Sequence, residues 1–191
     1  MNTVVIEGTE CLFETRRWLN NMVESHHFIS EPGREYAQLT STSFVDNYTD
    51  LSNSIVNDFA LMYKLLTVRS ANSIPFMPLA VAAINKLKEN YRVIIILPSG
   101  LVANRLISTM KSRKLFLETY FYIHPTQKYM GNYMTNAVAV FDTSIKDLTR
   151  VHNRYKEIHT YLVTKPWNLM EQSNRRVNSW KDFIDTYQEV L

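Results

Sequence analysis

The chain has 191 residues, 46% apolar, 12% aromatic and 20% charged, with a net charge of +3. These proportions fit one globular domain, with room for a small insertion, and exclude disorder as the default state. Four glycines exclude collagen-like and Gly-rich architectures, and the single cysteine, Cys11, excludes an internal disulfide and a cysteine-based zinc site.

The mild positive charge calls for no nucleic-acid partner. No apolar run approaches the ~20 residues that span a bilayer, and the N-terminus lacks a signal-peptide pattern. A cytoplasmic chain without membrane contact is expected.

Thr3 to Ile6 is a short β-branched run and predicts the first strand. Helical spacing follows at Leu12, Leu19, Met22 and Val23. Residues 26–50 are polar and irregular, and Leu51, Ile55, Phe59, Met62 and Leu66 mark a further helix. From Pro78 the pattern becomes regular. Residues 79–90 read as a helix, and Arg92 to Leu97 as a continuous apolar strand of the kind buried on both faces of a parallel sheet. Pro98-Ser99-Gly100 breaks that strand and opens a helix over 101–114. Strands are predicted over 117–123, 137–141 and 158–163, with a helix over 145–155 between the last two and a closing helix over 179–191.

Alternation of strand and helix from residue 79 onward predicts an α/β fold: a Rossmann-like, three-layer parallel sheet. Residues 14–74 interrupt the alternation after strand one and read as a small helical cap. The expected division is a core of 1–13 and 75–191 with a cap of 14–74. In such sheets ligands sit beyond the carboxyl ends of the strands. Those ends carry Glu7-Gly8-Thr9, Ser99-Gly100, His124 to Lys128, Asp142-Thr143-Ser144 and Lys165 to Asn168.

Four stretches, in this order, resemble the haloacid dehalogenase superfamily, and within it the 5'(3')-deoxyribonucleotidases. VVIEGT is similar to a D-x-D-G-T opening, and PFMPLAVAAINKLKENYRVIIILPS to the helix and strand that lead to a Ser/Thr motif. AVAVFDTSIKDL resembles an acidic segment after a later strand, and YLVTKPWN a Pro-Trp-Asn loop.

The resemblance implies a phosphoryl-transfer site. One aspartate attacks phosphorus, a second acts as acid and base, a hydroxyl and a lysine hold the phosphate, and acidic residues complete a Mg²⁺ site. Anchored on Gly8-Thr9, the attacking position falls on Val5 and the acid/base position on Glu7. Asp142 keeps the first acidic position after strand four, Thr143 replaces the second, and Val138 stands where a further aspartate is common. Ser99, Gly100, Gly8, Thr9 and Lys128 remain as phosphate-holding candidates. Glu7 and Asp142 are the remaining weak metal ligands. Losing an attacking residue costs about 10⁶ in rate in a well-studied hydrolase.

The expected function is therefore a non-catalytic protein of nucleotidase-like descent that binds a nucleotide, a phosphate or a protein partner. Drifted motifs on an intact fold pattern suit a viral or phage gene. No cofactor is expected. Two alternatives stand: an active Mg²⁺-dependent 5'-nucleotidase with Glu7 as its catalytic carboxylate, and a purely structural or interaction role. Phe44, Tyr48 and Tyr63 are the cap residues assigned to specificity.

Competing structural roles are plain for each residue. Glu7 suits a cap of the following helix, Lys128 a solvated surface lysine, and Asp142 the N-cap of the helix near Ser144. Ser99-Gly100 suits either an N-cap or an anion site at a helix start. The histidines 26, 27, 124, 152 and 159 lack metal-ligand spacing.

Overall fold

The computed structural model describes residues 1–18 and 74–186. The assigned cap, with Phe44, Tyr48 and Tyr63, lies outside the described residues except at its edges.

Strand β1 spans Thr3–Glu7 and runs into a single helical turn, α1 (Gly8–Cys11). Then follow α2 (Ala80–Lys88), β2 (Arg92–Pro98), α3 (Leu101–Ser112), β3 (Glu118–Tyr122), β4 (Ala137–Asp142), α4 (Ile145–Arg154), β5 (His159–Val163), β6 (Arg176–Val177) and α5 (Trp180–Thr186). The strands form one sheet in the order β3-β2-β1-β4-β5-β6, and every pairing is parallel. The expected α/β architecture is thus present. Strand β6 was not anticipated, because two residues are too short to carry a period.

Alternation along the buried strands sends side chains to opposite faces. Val4 and Ile6 join Ile95, Leu97, Ala139 and Phe141 in a core covered by α2, α3 and α5. Val5 joins Ile94, Ile96, Val140 and Leu162 in the opposite core, covered by α4 and by Tyr129, Tyr133 and Met134 of the β3–β4 connection. Phe141 stacks on Tyr161 with centroids 4.6 Å apart and meets Phe183 edge-on at 5.3 Å. Trp180 Nε1 donates to the Cys11 carbonyl at 2.7 Å, which ties α5 to the end of α1.

Register fixes the neighbours of the candidate site. Ile6 pairs with Phe141, so Glu7 and Asp142 end adjacent strands on the same face. The register slips between Thr3 and Val4, leaving Val138 as the extra residue of β4. Residues 12–14 meet residues 75–77 in a short antiparallel clasp. Glu14 N–H donates to the Pro75 carbonyl and Met77 N–H to the Leu12 carbonyl, each at 2.9 Å. Phe13 and Phe76 pack across it with centroids 4.4 Å apart.

Gly8 lies where β1 turns into α1, hard against β2. A Cβ there would stand 2.6 Å from both Ile95 Cγ2 and Leu97 Cδ2. Gly8→Ala should therefore lower stability by about 1–3 kcal/mol through overpacking, read as a lower urea midpoint with an unchanged slope.

Candidate active site

Glu7 is buried, and its carboxylate caps α1. Thr9 N–H donates to Oε1 and Glu10 N–H to Oε2, each at 3.0 Å. The Thr9 hydroxyl donates to Oε1 as well. The structural role foreseen for Glu7 is the one observed. Val5, assigned from the motif to the attacking position, is wholly buried in mid-strand and pairs with Ile94 and Val140. The carboxylate at the end of β1 belongs to Glu7, two residues further along. Strand β1 continues to Glu7 and the helical turn begins at Gly8.

Asp142 ends β4 and is 1% exposed. Its Oδ1 accepts N–H bonds from Thr143 at 2.7 Å and Ser144 at 3.0 Å. Its Oδ2 accepts the Tyr129 hydroxyl at 2.5 Å and lies 2.7 Å from Lys128 Nζ. The N-cap role foreseen for Asp142 belongs instead to Ser144, whose hydroxyl accepts Asp147 N–H at 3.2 Å. Helix α4 starts two residues too late for Asp142 to cap it.

Lys128 corrects the sequence reading in the other direction. It is 6% exposed rather than solvated. Its ammonium bridges Asp142 and, at 3.2 Å, Asp147 Oδ2. The rings of Tyr122 and Tyr129 flank it at 5.7 and 5.5 Å. Burial alone would push the ammonium pKa down, but Asp142, then Glu7, Tyr122 and Asp147, raise it above its ordinary value. Lys128 therefore stays charged throughout the physiological range.

Tyr129 is the residue that the sequence reading missed. It adopts φ of +68°, in the left-handed region that a bulky residue seldom enters. That backbone turn points Lys128 and Tyr129 together at Asp142, and Tyr129 N–H is held by the Tyr133 hydroxyl at 3.1 Å. Burial, and then Asp142, raise the Tyr129 phenol well above its usual pKa, so it stays a donor. No period or motif in the sequence marks it. A buried thiol completes the picture: burial, then Glu7, push the Cys11 pKa up, which leaves it protonated and unreactive.

Ser99 and Gly100 are exposed at the end of β2. Ser99 N–H donates to the Tyr122 carbonyl at 2.8 Å, extending the β2–β3 pairing. Gly100 is the N-cap of α3 at φ of +136°, with no side-chain cap on the helix start. Thus Glu7, Lys128 and Asp142 come together with Tyr129 and Asp147, whereas Ser99 and Gly100 sit on the open rim. At the far side, Asn168 staples β4 to β5: its amide donates to the Thr143 and Val163 carbonyls, each at 2.9 Å.

Mg²⁺ demands near-octahedral oxygen ligands. Both Glu7 oxygens face amide or hydroxyl donors, and both Asp142 oxygens face donors or the Lys128 ammonium. Thr143 offers no charge. Among the described residues no three His, Cys, Asp or Glu side chains are grouped to hold a metal ion. The donor set does not fit the divalent cation that the motif resemblance implies.

Glu10 forms a second buried charge next to this cluster. Its Oε1 accepts Arg16 N–H at 2.8 Å, and Oε2 has only Lys165 Nζ, 3.9 Å away. Burial pushes its pKa up to about 7, against the pull of Lys165 and Arg16 and with a smaller push from Glu7. The folded state then binds a proton that the unfolded chain releases near pH 4.5, so stability falls as pH rises from about 4.5 to 7. The loss over that window should reach about 3 kcal/mol. Glu10→Gln should flatten this pH dependence, measured by urea unfolding at pH 5 and pH 7.5.

No family model and no curated protein sequence matches the chain. Solved structures do. The chain is similar to a haloacid dehalogenase-like family hydrolase from Streptococcus pneumoniae, with a TM-score of 0.69 and 11% identity, over 98% of this chain and 99% of that one. It is similar to a hydrolase from Pseudomonas syringae, with a TM-score of 0.64 and 11% identity, over 100% and 99%. It is also similar to a haloacid dehalogenase-superfamily hydrolase of subfamily IA from Geobacter sulfurreducens, with a TM-score of 0.56 and 11% identity, over 97% and 98%. With the parallel six-stranded sheet and its strand order, these likenesses establish a haloacid dehalogenase-like fold.

Proposed function

We propose that this protein binds a phosphoryl-bearing small molecule, of nucleotide size, at the carboxyl ends of β1, β2 and β4, and does not hydrolyse it. One observation carries the reading. The two strand-end carboxylates, Glu7 and Asp142, are both consumed by internal partners. A carboxylate that accepts several hydrogen bonds is a poor nucleophile, because attack on phosphorus would forfeit them. The groups suited to holding an anion that remain are the backbone N–H groups at the start of α3, which carry no side-chain cap; the Lys128 ammonium, held by Asp142 and Asp147, would reach a ligand by giving up one of these carboxylates. Nucleotidase-like descent rests on the motif order alone.

A second reading, hydrolysis with Glu7 as the attacking group, draws on its place at the end of β1 beside Asp142. Its cap bonds to Thr9 and Glu10 weigh against it. Assays for both readings use the full chain with inorganic phosphate and a panel of deoxynucleoside monophosphates. A ligand at 100 times its dissociation constant adds about 2.7 kcal/mol, a rise of roughly 5–10 °C in Tm for a domain of this size. We expect such a rise with phosphate or a nucleotide, and no phosphate release above background with Mg²⁺ present. Turnover abolished by Glu7→Gln would establish the second reading. A flat thermal response to every ligand would leave a protein partner as the function.

A further inference from the structure

We propose that the Lys128 ammonium is a built-in replacement for a divalent cation, so that ligand binding at this site needs no metal. The inference goes beyond the anion-binding reading and stands on the charge pattern of the site itself. Asp142 and Asp147 both place an oxygen on one point, Lys128 Nζ, at 2.7 and 3.2 Å. Glu7 acts on the same ammonium electrostatically. Two carboxylates converge on one centre, as they would on a hard cation. Here a tethered ammonium takes that centre, and burial makes it costly to displace.

The surroundings hold the lysine there. The Tyr122 and Tyr129 rings lie 5.7 and 5.5 Å from Nζ. The Tyr129 hydroxyl takes the same Asp142 oxygen that binds the ammonium. Asp147 is further neutralised by Arg150 at 3.3 Å. A divalent ion entering this centre would meet Lys128 at contact distance, and two like charges so close repel strongly even at an effective dielectric of about 20.

The test titrates Mn²⁺ into the full-length wild type and Lys128→Met, with bound ion read by electron paramagnetic resonance. Thermal shift with inorganic phosphate is measured in parallel, with and without EDTA. Lys128→Met keeps the apolar stem and removes the charge. We expect no Mn²⁺ uptake by the wild type in the low-millimolar range, and affinity stronger by on the order of 100-fold in the variant. We also expect any phosphate shift in the wild type to be the same with EDTA. Mn²⁺ uptake by the wild type, a folded Lys128→Met that takes up none, or a phosphate shift abolished by EDTA would each overturn the inference. If Lys128→Met does not fold, the wild-type titration and the EDTA comparison decide. The two proposals fail separately: a phosphate shift that requires metal ends this one and leaves anion binding standing. Mn²⁺ gained by the variant with no phosphate shift does the reverse.

Discussion

A single buried ion pair, Lys128 with Asp142, organises the carboxyl end of the sheet. Taking two charges out of water costs several kcal/mol per ion, which their attraction repays only when the remaining polar atoms are satisfied. Here they are. Asp142 collects two backbone N–H bonds and a phenol, and Lys128 collects a second carboxylate and two aromatic faces. The pair also anchors the β3–β4 connection over the sheet. With Lys128 fixed, Tyr129 is drawn to Asp142 in its left-handed conformation, and Tyr155 reaches the Tyr129 carbonyl at 3.3 Å.

The parallel sheet supplies the other half of the constraint. Because Ile6 pairs with Phe141, the next residues on β1 and β4 are both acidic and both end strands. Side by side and unmodified, two carboxylates would repel. The fold relieves this differently at each. Glu7 is turned to cap α1, where N–H groups and the helix dipole favour a negative charge. Asp142 is matched by a cation from a neighbouring loop. Both strand-end carboxylates are engaged in holding strand ends and loops together, and that is why the proposed role is binding.

Much of this was legible in the chain. Glu7, two residues before Thr9 and three before Glu10, has the spacing of a cap, and it is one. Other assignments failed for reasons of reach. Lys128 looks like one more charged residue in a polar stretch, because nothing local reveals that the stretch folds back over β4. Asp142 looks like an N-cap because it lies just ahead of α4, but Ser144, two residues on, stands at the helix start.

What the sequence determined by itself is the layered α/β fold. Apolar strands alternate with helices at periods of two and 3.6, and those periods depend only on near neighbours along the chain. What the tertiary structure alone decided is which charges meet. Lys128 stands 14 positions from Asp142 and 19 from Asp147, and it meets them because the β3–β4 connection follows a path set by packing. Desolvation then compels the charges it buries to find one another.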